Sequence, residues 1–451
     1  MSLLLAETAQ RLAARKTSSG ALVERALANI RRPDGEGSRT FLKVYDESAR
    51  AAAIIADRLR AFGVVPSPLG GIPISIKDLF DVRGESTPAG SKVLANAVPA
   101  QRDATVVARL RAAGAIFVGR TNMTEFAFSG LGINPHYGTP SNPYERSTRR
   151  IPGGSSSGAA VSVSDEMAEV GIGTDTGGSV RIPAALCGLV GFKPTANRIP
   201  RDGVLPLSTT LDSIGPIARS VACCALVDAI MAGEPPIVPA GLPIEGLRLG
   251  VVRDYVCERL EPVVASAFER ALSVLSEAGA RLMEVPFPEL ARLPSLNRSG
   301  GFAGSEAYAW HQKLLQERGK DYDPRVSVRI AAARGMLAAD YIELIEHRTA
   351  MIAQAQRIAM PYDALLMPTT AMTAPPIAAL ERDDDQYARA NFAMLRNPTT
   401  INFLDGCALS VPCHAPGEAP IGLMIAGMSN ADRHVLRVGQ AIEAALKRLA
   451  D

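Results

Sequence analysis

The sequence predicts an α/β protein, and three observations carry that expectation: short apolar runs recur along the chain, segments of helical period separate them, and glycines mark the joints. At 451 residues, with a hydrophobic share of 47% and a charged share of 21%, the composition is that of a globular protein with a large core. Length alone would allow about three domains of roughly 150 residues. Nothing repeats at a fixed period, however, and no stretch is long or polar enough to read as a linker. Residues 1–451 are therefore expected to form one domain, with an irregular insertion at about 285–345.

Leu and Ala at helical spacing predict helices over 3–15 and 20–31, separated by the polar run Lys16–Ser19, and a third helix fits Ser48–Phe62. In GGIPISIKDLF, Ile72, Ile74 and Ile76 alternate with Pro73, Ser75 and Lys77, the period of a strand that ends on a lysine. Asp103–Ala113 is an amphipathic helix with Val106, Val107 and Leu110 inward, stopped by Gly114 ahead of an apolar strand at 115–119. Residues 158–168 read as helix and 170–173 as a short buried strand. The rhythm continues with a strand at 247–252, a helix over Pro262–Gly279, strands at 362–368 and 421–427, and a closing helix over Ala431–Leu449.

Several function classes are disfavoured at once. Lys and Arg number 48 against 46 Asp and Glu, a net charge of +2, and both signs are interspersed, so there is no electrostatic footprint for nucleic acid. The small cluster Arg146, Arg149 and Arg150 reads as a solvated loop. No apolar run approaches the roughly 18 residues of a membrane span, and MSLLLAETAQRLAARK carries charges where a signal peptide needs its apolar segment, so no membrane association and a cytoplasmic location are expected. The six cysteines lack CxxC spacing and are expected to be reduced and mostly buried. The five histidines show no HExxH or other paired spacing, which argues against a metal site.

Chemistry concentrates between Ile151 and Thr195, where GGSSSG and DTGGS place serines among glycines. Such turns can present hydroxyls and inward-facing amide N–H groups, as attack on a carbonyl requires. Ser179, at the end of GTDTGGS, is a candidate nucleophile; the competing reading of that loop is a structural or phosphate-binding turn. Ser155, Ser156 and Ser157 offer a second hydroxyl, or, at Ser157, the N-cap of the following helix. Lys77 is the one base candidate set in an apolar strand pattern. On the surface it would simply snorkel; buried, its pKa would fall from about 10.4 toward values at which the free amine is a base. Gly154, Ser156 and Gly158 also satisfy GxSxG, a nucleophile elbow that would need a later acid and histidine, with His414 and His434 available in order.

Taken together, GGIPISIKD, PGGSSSGAA and GTDTGGSVRIPA resemble the amidase signature family, and the two serines lie 24 positions apart with Lys77 a further 78 upstream of Ser155. The resemblance extends to DATVVARLRAAGAIFVGRTNMTEFAFSG, to CGLVGFKPT, and more faintly to NFLDGCALSVPC and PIGLMIAG; the signature core spans about 65–220 and the weakest likeness about 235–390. It implies a large twisted mixed β-sheet covered by helices on both faces. It also implies amide hydrolysis through an acyl-enzyme on Ser179, with Ser155 after an unusual cis peptide bond relaying a proton to Lys77. The N–H groups of Thr176, Gly177, Gly178 and Ser179 would form the oxyanion hole, Asp175 and Arg181 would hold the loop, and Ser156 would hydrogen-bond the relay.

By the same resemblance neither a metal nor an organic cofactor is needed, the partner is a small-molecule amide, and a homodimer is compatible. Ser157 and Ala159 depart from the commoner GGSSGGSA pattern. Esters and carbamates lie within reach of the mechanism. A second reading within the family is the amidase subunit of a glutamine-dependent tRNA amidotransferase, against which DPRVSVRIAAARGMLAADYIELIEHR lacks the expected tyrosine-rich segment. A silent binding subunit is disfavoured because Lys77, Ser155 and Ser179 are intact. Met123, Phe126 and Phe128, following the strand at 115–119, are the candidates for an apolar acyl pocket.

Overall fold

The computed structural model describes residues 4–449. One mixed sheet of 11 strands organises them: β1 (Phe41–Val44), β2 (Pro73–Lys77), β3 (Ile116–Thr121), β4 (Val170–Asp175), β5 (Val190–Lys193), β6 (Ser213–Ala218), β7 (Arg248–Val252), β8 (Arg281–Val285), β9 (Ala364–Pro368), β10 (Cys407–Pro412) and β11 (Gly422–Gly427). Their spatial order is β1-β3-β2-β4-β6-β5-β10-β11-β9-β7-β8. β2 runs parallel to β3 and β4, and β7 parallel to β8 and β9; the other pairs are antiparallel.

Both faces of the sheet are covered, and side-chain alternation shows it. Cys407, Leu409 and Val411 of β10 join a core with Val227 and Ile442, whereas Ala408 between them joins a second core with Phe302, Leu344 and Phe403. The helices Val221–Ala232 and Asp432–Leu446 therefore close one face, and Gly301–Arg318, Ala338–Ala359 and Asp384–Phe403 contribute to the other. Among the described residues no helix is long and apolar enough to cross a membrane. The cysteines are free, and all but the half-buried Cys257 are buried.

The expected helices and strands form, with ends displaced by a few residues; Leu3, the first residue of the expected 3–15 helix, lies outside the described residues. The segment at 285–345 differs from expectation. It is largely helical, with Gly301–Arg318 and Pro324–Ala331 followed by Ala338–Ala359. Its pattern is weak because the first of these buries only Gly301, Phe302, Gly304, Ala307 and His311, so small residues stand where an apolar stripe would signal a helix.

Candidate active site

Lys77 closes β2, where Ile76 pairs in parallel register with Ile172 of β4. The lysine is 0% exposed, so it does not snorkel. Its Nζ lies 2.8 Å from Ser155 Oγ and 2.9 Å from Thr174 Oγ1. As an ammonium it donates to both hydroxyls; as a free amine it turns a lone pair to one of them. Burial pushes its pKa down from 10.5 to about 7, with the Asp212 and Asp175 carboxylates pulling weakly the other way.

The serine cluster is clamped by backbone. The Gly154–Ser155 peptide is cis, Gly154 N donates to Gly130 O at 2.8 Å, and Thr124 N donates to Ser155 O at 3.1 Å. Only glycine fits at 154, because a Cβ there would stand 2.4 Å from Gly132 N. Ser156 N donates to Ser179 O at 3.2 Å, which ties the two serine-bearing turns together. Ser156 Oγ donates to Thr174 O at 3.3 Å, so it steadies the residue beside Lys77 and not Ser155.

Ser157 does not cap the helix Ser157–Ser164. Its hydroxyl donates to Asn122 O at 3.4 Å, and Ser156 holds the N-cap position without a side-chain cap bond. The nucleophile-elbow reading also fails. Ser156 is fully buried, His414 Nδ1 meets the Ile421 backbone, and His434 lies 4.0 Å from Asp363, so neither histidine reaches that serine.

Asp175 and Arg181, both 0% exposed, form the frame of the second loop. Arg181 Nε donates to Asp175 Oδ2 at 3.0 Å and Nη2 to Oδ1 at 2.9 Å, a two-pronged pair to which Asn402 Nδ2 adds a bond at 3.0 Å. Burial raises the Asp175 pKa, but the Arg181 guanidinium, Lys193 and Asn402 outweigh it and hold the carboxyl well below the usual range. The carboxylate in turn accepts Gly178 N at 2.8 Å and Val180 N at 3.2 Å. Gly178 has φ +121°, and a Cβ there would meet Pro398 Cβ at 2.6 Å.

This alters the expected oxyanion hole. The Gly178 N–H is occupied by Asp175, whereas the N–H groups of Thr176, Gly177 and Ser179 find no acceptor among the described residues. Thr176 Oγ1 donates to Asp212, a buried carboxylate that also accepts Leu207 N and Ser208 N at 3.0 and 3.1 Å. Burial raises the Asp212 pKa to about 6, against the pull of these donors. Thr174 and Asp212 were not legible as site residues. Thr174 had one signal, since it alternates with Ile172 along β4; Asp212 sits in an irregular LSTTLDS segment and had none.

A cavity of about 390 Å³ opens onto Ser179, Thr176 and Gly177. Phe128, Leu207, Leu211 and Leu395 supply apolar wall, and Asn297, Arg298 and Arg329 supply polar wall. Of the expected pocket residues, only Phe128 lines it. Phe126 and Ala127 take left-handed backbone, φ +50° and +61°, and Phe126 turns into the core, its ring centroid 4.4 Å from His311 and 5.3 Å from Tyr322. Met123 is fully buried in the core around Gly90. The far wall is tied to the loop by Glu306, which accepts Ser208 Oγ and Tyr341 Oη, both at 2.6 Å, and Thr210 N at 3.0 Å.

Comparison with known proteins places relatives around this geometry. A family model described as Amidase matches residues 21–436. A 2-amino-5-chloromuconic acid deaminase from Comamonas testosteroni is 36% identical, over 98% of this chain and 96% of its own. A glutamyl-tRNA(Gln) amidotransferase subunit from Chloroflexus aggregans is also 36% identical, over 96% and 94%. A solved amidase structure superposes with a TM-score of 0.88 at 32% identity, covering 98% of this chain and 99% of its own.

Proposed function

The chain belongs to the amidase family of carbon–nitrogen hydrolases, and we propose that Ser179, Ser155 and Lys77 carry its reaction on a small non-peptide amide. The observation that supports this most directly is the buried lysine amine 2.8 Å from Ser155 Oγ, with Ser156 N bonded to Ser179 O next to it. A lysine whose pKa is about 7 has an appreciable free-amine population at neutral pH.

In the proposed cycle Ser179 Oγ attacks the amide carbon while its proton passes through Ser155 Oγ to Lys77 Nζ. The oxyanion is held by the N–H groups of Thr176, Gly177 and Ser179, while Gly178, bonded to Asp175, shapes the turn. The tetrahedral adduct collapses as the proton returns through Ser155 to the departing amine. Water then attacks the Ser179 ester and gives a proton to the same relay, which returns it to Ser179 Oγ as the ester C–O bond breaks and the acid leaves, ionising to the carboxylate. A carbamate or ester enters the cycle at the same carbonyl, because acylation does not depend on nitrogen leaving. Residues 1–451 act as one domain in this reading, which the single sheet running from β1 to β11 supports.

A second reading, the amidase subunit of a glutamyl-tRNA(Gln) amidotransferase, is favoured by the 36% identity to the Chloroflexus aggregans protein. The purified chain separates the two. The amidase reading expects ammonia release from simple amides by the chain alone, abolished in Ser179→Ala, with sedimentation reporting any homodimer. Equal rates in the two proteins would overturn the mechanism, and activity only with added subunits and tRNA would favour the second reading.

A further inference from the structure

Arg329 stands out as a cation without a counter-charge. It projects from the helix Pro324–Ala331 into the wall of the cavity that holds Ser179. Its guanidinium carbon lies 4.7 Å from the centroid of the Phe128 ring, and Nη1 donates to Phe128 O at 2.6 Å. The guanidinium makes no other hydrogen bond and no ion pair among the described residues. Neighbouring arginines are treated differently: Arg325 on the same helix pairs with Asp384 at 2.7 Å, and Arg181 with Asp175 at 2.9 Å.

Burial pushes the Arg329 pKa down, with Tyr387 pulling the other way and no carboxylate offsetting it among the described residues. Arg298 lines the same cavity, and no Asp or Glu does so among the described residues. A half-buried guanidinium without a counter-charge favours an anion in the adjoining cavity, and its planar array of donors matches a carboxylate.

Resting on the reading of this cavity as the amide site, we propose that the substrate is the half-amide of a dicarboxylic acid, held by its free carboxylate on Arg329 while its amide carbonyl meets Ser179. The same wall discriminates against an amino-acid amide such as glutamine. Its α-ammonium would enter a cavity that offers two arginines and no acid.

The test compares succinamate, glutaramate and adipamate with the corresponding neutral diamides, and glutaramate with glutamine, by ammonia release from the purified chain. Wild type is expected to favour at least one monoanion over its diamide by on the order of 100-fold in kcat/KM. Glutaramate is expected to exceed glutamine. Arg329→Met is expected to bring the monoanion-to-diamide ratio near unity, and Arg329→Lys to keep part of it. Diamides turned over as well as the monoanions by wild type would overturn the proposal and leave the amidase reading standing.

Because Arg329 also holds Phe128 O, a second measurement leaves it in place: the thermal shift of Ser179→Ala with succinate, glutarate or adipate against the diamides. Stabilisation by a diacid alone supports the anion site; no difference between the two sets overturns it. Hydrolysis of no amide above the Ser179→Ala level would sink the amidase reading itself, and the thermal shifts would still decide the anion site.

Discussion

The rate should follow the charge on Lys77. With a pKa of about 7 in place of 10.5, the free amine makes up about 1% of the lysine at pH 5, about 9% at pH 6 and about 91% at pH 8. The logarithm of kcat/KM should therefore climb with unit slope below about pH 7 and level off above it. At the ordinary pKa only about 0.03% would be free at pH 7, so burial multiplies the competent fraction on the order of 10³-fold. Asp212 opposes that depression, and its own pKa of about 6 means that it gains its charge over the same interval, so the measured limb belongs to the coupled pair. Asp212→Asn removes the opposing charge and should move the limb to lower pH. The assay is ammonia release from a neutral amide between pH 5 and 9.5 in both proteins. A limb near pH 10, a flat profile, or a limb moved upward in Asp212→Asn would refute the reasoning.

Ser155→Ala should lower kcat by about 10²- to 10⁴-fold by cutting the proton path, with the fold unchanged by circular dichroism. Arg181→Met leaves the Asp175 carboxylate buried without its ion pair and should cost about 3–5 kcal/mol in urea unfolding, where removing an exposed pair would cost little. Gly178→Ala forces a Cβ against Pro398 and Ile182 at a backbone angle that suits glycine; kcat should fall more than KM rises, since the turn presents the donors. Glu306→Gln weakens the tie between the helix Gly301–Arg318 and the 208–210 turn, and should raise KM with a smaller effect on kcat.

What could be read from the chain was what local pattern encodes. Strand alternation ending on Lys77 and the glycine-flanked serines marked candidates one by one, and it was the resemblance of these motifs, in this order, to the amidase signature family that implied Lys77, Ser155 and Ser179 act together. The parts that escaped are made by long-range packing. Phe126 looked like a pocket residue because an aromatic after a strand is ambiguous, and only the left-handed turn at Phe126–Ala127 commits it to the core. Gly178 looked like an oxyanion donor because its N–H faces the same turn, but the Asp175 carboxylate three residues back takes it. β6 was missed because Gly215 and Pro216 interrupt its apolar run, and Arg329 because an arginine on a short helix carries no sign of what it will face.

The cavity wall is drawn from several stretches of the chain, at 127–129, 176–179, 207–211, 297–303, 329–332 and 395–399, and two of its sides are held in different ways. The side that carries Ser179 comes from the turn after β4, crowded by glycines at which even one added carbon collides, so that side has little room to drift. Its opposite side comes from residues 297–332, on helices joined to the sheet side by bonds such as those of Glu306 and Arg329. Substitutions there can recast which acyl group is admitted while leaving Lys77 and both serines where they are. Two relatives at the same 36% identity carry names that differ in this respect, one naming a chlorinated muconic acid and the other a transfer RNA.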